Sequence, residues 1–211
     1  MAVALIPLLA ITYLPILHEE QIKQWPTAPS ISYLAAQIEQ ETCVSLKSSG
    51  CWNPRTELKT DREYGFGLSQ ITVTSKFNNF LEAKKWDKAL ADWQWEDRYN
   101  PHYQTRALVV YMRNLNNQVN GAYDINNQYA FALSAYNGGM GGVIKDRSLC
   151  KMTTGCDSSL WWGNVENTSL KAKIAVNGYG QSFFQINRGY VVNIMNVRYK
   201  KYDEYLNIKI E

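Results

Sequence analysis

Apolar residues in this chain recur at the three-to-four-residue spacing of helices, and nowhere do they alternate with polar ones over a long run. That property points to a mainly α fold, with room for a small β-hairpin. Segment 30–42, SISYLAAQIEQET, shows it best. Ile31, Leu34, Ala35 and Ile38 share one helical face, and Ser30, after the PTAPS punctuation, suits the N-cap. A second helix is expected over about 75–92, with Phe77, Phe80, Leu81 and Leu90 as anchors and Trp86 between them. A third is expected over 103–118, after the Tyr-Asn-Pro breaker at 99–101. Two more fall over 129–136, closed by Gly138 and Gly139, and over 183–205. Residues 44–65, and those from about 140 to 168, read as loops.

A chain of 211 residues can bury a sizeable core in one domain, or in two small lobes. With 45% apolar and 19% charged residues it is globular in composition, which excludes a disordered chain. The net charge of +3 favours an anionic polymer without specifying one. Nucleic acid is not expected, because the densest basic stretch, EAKKWDK at 82–88, already contains two acids. His18 and His102 are the sole histidines, so no metal centre and no cofactor is expected. The spacing of Cys43 with Cys51, and of Cys150 with Cys156, suits two short disulfide-closed loops in an oxidising compartment. The alternative is four free thiols; neither pair has the short gap of a zinc site. The apolar opening, MAVALIPLLAITYLPIL, has no Lys or Arg before it, contains Pro7 and Pro15, and is short for a bilayer span. It is expected as a helical segment over 1–24 packed on a domain over 25–211, the alternative being an exported or tethered form.

Two glutamates, Glu39 and Glu41, close the 30–42 segment. On a helical wheel Glu41 lies about 20° from Leu34, at the margin of the apolar stripe, whereas Glu39 lies about 40° beyond Ala35. The wheel therefore favours Glu41 as a carboxyl half-buried beside a groove, where burial raises the pKa as a general acid requires. Equally, such a glutamate can cover apolar surface with its stem and keep its carboxylate wet. Further along, YGFGLSQIT at 64–72 combines tight glycines with the amide of Gln70, and SAYNGG at 134–139 puts Tyr136 and Asn137 at a helix end.

A helix ending in Gln-Glu-Thr, then GLSQ, then ALSAYNGG, in that order, resembles the catalytic domain of lytic transglycosylases, relatives of goose-type lysozyme, with the phage-borne peptidoglycan enzymes nearest in flavour. The likeness extends from about WPTAP at 25–29 to YGQSFFQINRGYVVNI at 179–194. It implies a lysozyme-like helical fold with Glu41 as catalytic acid and base and Tyr136 as the hydroxyl that orients it. Thr42 stands where the family has serine. Gly67, Leu68, Ser69 and Gln70 match the Gly-Leu-Met-Gln segment that lines the glycan groove, with Ser69 in place of methionine. Asn137 belongs to the Ala-Tyr-Asn motif. The stretch between Thr42 and Gly67 is longer than the family's usual one.

The resemblance implies cleavage of the β-1,4 bond of peptidoglycan with a single glutamate, leaving a 1,6-anhydromuramoyl end. A lysozyme-type hydrolase needs a second carboxylate, for which Asp61 and Glu63 are the candidates. A non-catalytic wall-binding protein is the third possibility. Trp161 and Trp162, beside Gly163 and Asn164, are placed to stack on sugar rings. The expected partner is the glycan strand, met by a monomer without stable membrane insertion. The expected place of action is the bacterial cell wall, reached through a phage lysis system or virion.

Overall fold

The computed structural model describes residues 5–43, 50–171 and 173–210, with side chains as far as Asn207. It is mainly α-helical with a small three-stranded antiparallel sheet. The chain divides into two compact units, Met1–Arg113 with Val197–Glu211, and Asn114–Asn196.

In the first unit, α1 (Leu8–Gln24) buries Ala10, Leu14, Leu17 and Glu20. The Glu20 carboxylate accepts two hydrogen bonds from Arg106, at 2.8 and 2.9 Å, which fasten α1 to α4 (Pro101–Gln118). Helix α2 (Ile31–Thr42) starts where expected, with Ser30 Oγ accepting from Ser32 N. The sheet lies between α2 and α3 in sequence: β1 (Glu57–Lys59), β2 (Tyr64–Phe66) and β3 (Ile71–Val73) pair consecutively. Strands of three residues are too short to carry a visible alternation, which is why a loop was expected over the first two of them. Instead of a long helix over 75–92, α3 covers Asn79–Trp86, followed by a 3₁₀ turn at Lys88–Leu90. Asn78 and Asp87 impose those breaks, each side chain accepting from a backbone N–H as an N-cap does. Phe80 and Leu90 join Phe66, Ile71, Trp93, Ala107 and Val110 in the core, while Phe77 and Leu81 remain exposed. Trp86 stacks on Tyr111, with ring centroids 4.2 Å apart.

The second unit is built on α5 (Ile125–Gly138), packed against α6 (Met140–Lys151) and α7 (Phe183–Val192). Helix α6 replaces an expected loop. Its opening, Met-Gly-Gly, reads as a breaker, yet Gly139 at φ +80° ends α5 and begins α6 without an intervening linker. After α7 the backbone makes a π-helical turn, Asn193–Arg198, and continues as α8 (Tyr199–Ile210) in the first unit. Among the described residues, no helix is long and apolar enough to cross a membrane. Both cysteine pairs are bonded, Cys43 to Cys51 and Cys150 to Cys156.

Helix α8 packs on α2 and, with Arg198 at the end of the π-helical turn, brings two cations to Glu39. This carboxylate is 2% exposed and accepts from Arg198 Nη1 (2.5 Å), Lys201 Nζ (2.6 Å) and Tyr202 Oη (2.5 Å). Burial, with the Glu39 charge beside it, pushes the Tyr202 hydroxyl far above the usual tyrosine range, so it stays a donor. Replacing Glu39 by glutamine leaves two cations facing a neutral amide in a dry site. We expect E39Q to lower unfolding free energy by about 3 kcal/mol, measured by urea denaturation.

Candidate functional site

The sequence-predicted residues divide between the two units, and each set has its own local frame. In the first unit, Glu41 sits in the last turn of α2, partly buried. The wheel ranked the glutamates by distance from one apolar stripe, but α2 is covered on nearly every side, and α8 closes over Glu39. Glu39 is thus the more buried of the two and is held by Arg198, Lys201 and Tyr202, while Glu41 is partly buried in the last turn of the helix.

The backbone after Glu41 is fastened at several points. Thr42 Oγ1 donates to Ile38 O (2.6 Å) and accepts from Trp52 N (2.7 Å). Trp52, fully buried, donates from Nε1 to Tyr202 Oη (2.7 Å), the same hydroxyl that binds Glu39. The Cys43–Cys51 bridge closes the intervening loop. Residues 44–49, part of the long Thr42–Gly67 stretch, lie outside the described residues. Thr42, expected to contact substrate, is 2% exposed, and its hydroxyl is taken up inside the protein. It latches the helix end instead.

The GLSQ segment is likewise a support. Leu68 and Ser69 are fully buried, so neither side chain can line a groove. Gln70 is partly buried, and its Nε2 donates inward to Gly67 O (2.8 Å) and Thr56 O (3.2 Å). Gly67 N also donates to Thr56 O, at 2.8 Å. Sequence reasoning missed the residue that holds this turn, Gln104. Its Oε1 accepts from Leu68 N (3.0 Å), while Nε2 donates to Pro54 O (3.0 Å) and Arg98 O (2.7 Å). Gly67 adopts φ +79°, and a Cβ there would lie 2.3 Å from Gln104 Nε2. One buried amide thus joins the 50s loop, the GLSQ turn and the segment before α4.

Of the proposed second carboxylates, Asp61 is exposed in the β1–β2 turn, where Thr60 Oγ1 accepts from the N–H groups of Arg62 and Glu63. A carboxylate not foreseen, Glu57, is more firmly placed. Its Oε1 accepts from Tyr64 Oη (2.5 Å) and from Tyr99 Oη. These two hydrogen bonds, Tyr64's first, hold its pKa below the usual carboxylate value. Arg98 lies over the faces of Tyr99 and Trp95, and Arg55 over Tyr99.

In the second unit, Tyr136 is partly buried and stacks nearly parallel on Tyr190, centroids 6.4 Å apart. Asn137 is exposed, and its Oδ1 accepts from Asn187 Nδ2 (3.1 Å). Asn187 is itself fixed by Ser134, through Oγ (2.9 Å) and backbone O (2.9 Å). Arg188, next in sequence, donates to Asp146 Oδ2 (2.8 Å) and to the carbonyls of Val165, Glu166 and Thr168. Its guanidinium stacks over Trp161. Trp161 is 1% exposed, with its ring edge-on to Phe131, so it has no face for a sugar. Trp162 is partly buried and keeps that possibility. A polar Asn-Arg pair inside the apolar run FFQINRGYVV was the available signal for this buried network.

Among the described residues, no three His, Cys, Asp or Glu side chains converge as metal ligands. No protein-family model matches the chain, and no curated protein matches it either.

Two outcomes follow from this geometry. Gly67→Ala introduces both backbone strain and a clash with Gln104, and should lower unfolding free energy by roughly 2 kcal/mol or more in denaturant titrations. Tyr99→Phe removes one donor to ionised Glu57. Its carboxyl pKa should rise toward the ordinary value, as read from an NMR pH titration of the Glu57 side chain.

Proposed function

We propose that this protein is a lytic transglycosylase that cleaves the β-1,4 bond after N-acetylmuramic acid in peptidoglycan, with Glu41 as its acid and base. The observation that carries this reading is the end of α2. Glu39 is held by three partners, and Glu41, two residues on, is only partly buried on a helix end anchored by Glu39, Thr42 and the Cys43–Cys51 bridge. A proton-transfer group needs that combination of access and fixed position. The order of Glu41, the GLSQ turn and the Tyr136–Asn137 pair supports it independently, through the resemblance they carry.

The chemistry balances with one carboxyl. Glu41 donates its proton to the glycosidic oxygen as the bond from C1 breaks, and the N-acetyl group of the muramic acid supports the positive charge at C1. The Glu41 carboxylate then takes the proton of the 6-hydroxyl of the same sugar as that oxygen bonds to C1. The product is a 1,6-anhydro ring, water is not consumed, and Glu41 ends protonated as it began. Attack from within one sugar carries the usual intramolecular advantage. The two disulfides suit action outside a reducing cytosol, at the bacterial wall, with delivery by a phage lysis system or virion. The net positive charge assists approach to an anionic wall.

Mass spectrometry of sugars released from purified peptidoglycan tests the proposal. Wild-type protein should yield 1,6-anhydromuramoyl ends, one water lighter than reducing ends. Glu41→Gln should lose activity by at least about 10²-fold while unfolding at the wild-type midpoint. Reducing ends would indicate hydrolysis with a second carboxylate, to be sought by amide substitution at Asp61, Glu63 and Glu57. Full activity in E41Q would sink the assignment.

A further inference from the structure

Immediately after Asn137, the second unit opens into a cavity of about 290 Å³ lined by Gly138, Gly142, Lys145, Asp146, Leu170 and Lys171. We propose that this cavity is an anion-binding subsite whose ligand is a carboxylate of the peptide stem borne by the glycan strand. The choice of ligand rests on peptidoglycan being the substrate, as proposed above.

Charge points to an anion. Asp146 is the acid among the lining residues, and its carboxylate is already engaged by Lys171 Nζ (2.9 Å), Arg188 Nη2 (2.8 Å) and Ser169 Oγ (3.0 Å). Two cations on one carboxylate leave a unit of positive charge uncompensated. Lys145, exposed and without an ion pair among the described residues, adds a second. Lys171 Nζ carries three N–H donors, and Asp146 occupies one of them.

The glycines keep that ammonium at the cavity. A Cβ on Gly142 would lie 3.1 Å from Lys171 Nζ, and one on Gly138 would lie 3.2 Å from its Cε and 2.8 Å from Asn187 Nδ2. Any side chain at either position would crowd Lys171 or the amide that holds Asn137. The Asp146–Arg188 pair fixes the loop bearing Lys171, so its position is set before a ligand arrives.

Size and place narrow the ligand. The volume is at the lower end of small-molecule pockets, enough for a short acidic branch and too small for a run of sugar rings. Gly138 follows Asn137 directly, about 3.8 Å away between Cα atoms. A glycan strand lying along Asn137 would therefore present its peptide branch here. Leu170, 69% exposed, offers an apolar wall for the branch's aliphatic part.

The probes are the free stem peptide, the same peptide with its carboxylates amidated, and inorganic phosphate, each titrated by calorimetry into wild-type, K145A and K145R protein. We expect the stem peptide to bind, and to bind about fivefold or more weakly after amidation or in K145A. K145R should retain binding, and K145A should unfold at the wild-type midpoint because residue 145 is exposed. Equal binding of amidated peptide, or undiminished binding in K145A, overturns the subsite. Phosphate binding as tight as the stem peptide overturns the carboxylate assignment in favour of a phosphate-bearing polymer. The titration needs no bond cleavage. Binding through Lys145 without release of anhydro sugars would therefore refute the transglycosylase alone, and release without binding would refute the subsite alone.

Discussion

The Glu39 carboxylate organises the first unit. Burying a charge carries a large desolvation cost, and here two cations and a tyrosine offset it. Such an arrangement contributes little net stability beyond what apolar residues could supply. What it adds is a unique geometry, because the three donors satisfy the carboxylate together in one alignment of α2 and α8. Tyr202 transmits that alignment to Trp52, Trp52 to Thr42, and Thr42 lies next to Glu41. The carboxyl proposed to do chemistry is therefore positioned by a neighbour whose own oxygens are bonded inside the protein.

The second unit uses the same device with the signs reversed. Arg188 is a buried cation around which loop carbonyls and Asp146 gather. Its neighbour Asn187 fixes Asn137 from one side, and Arg188 itself fixes the loop of Trp161 and Lys171 from the other. In both units a buried charged side chain, and not the apolar core alone, determines where exposed polar groups end up. Apolar contacts tolerate small shifts, whereas a fully bonded ion does not.

Much of the helical framework was legible in the chain because its signals are local. Ser30 caps α2 through a bond to the residue two positions on, and the cysteine pairs lie within eight residues, whereas the equally local caps at Asn78 and Asp124 went unread. What remained hidden depends on distant partners or on short elements. Three-residue strands show no periodicity. Helix α6 has two glycines in its first turn, of which Gly142 leaves room for Lys171, and a glycine pair reads as a loop. Glu39 was misjudged because a wheel assumes one wet face, and α8 removes it. Leu68, Ser69 and Trp161 resembled ligand contacts by motif or by loop-like surroundings, yet each is buried and holds its segment from beneath. Glu41 was singled out by its place on the wheel and by the resemblance; the residues that hold its helix end, Trp52 and Tyr202, were not.

The Glu39 contacts join residues 159 to 163 positions apart in the chain. Few local interactions can anticipate them, and loop closure over such a separation is slow relative to helix formation. A ribosome making this protein emits α2 early and α8 last of the described helices. Throughout that interval the helix bearing Glu41 has a naked carboxylate at Glu39 and no Tyr202 to hold Trp52. The geometry around Glu41 is thus completed only after residue 202 has been made, so the growing chain waits for partners 159 to 163 positions downstream before that helix end is set.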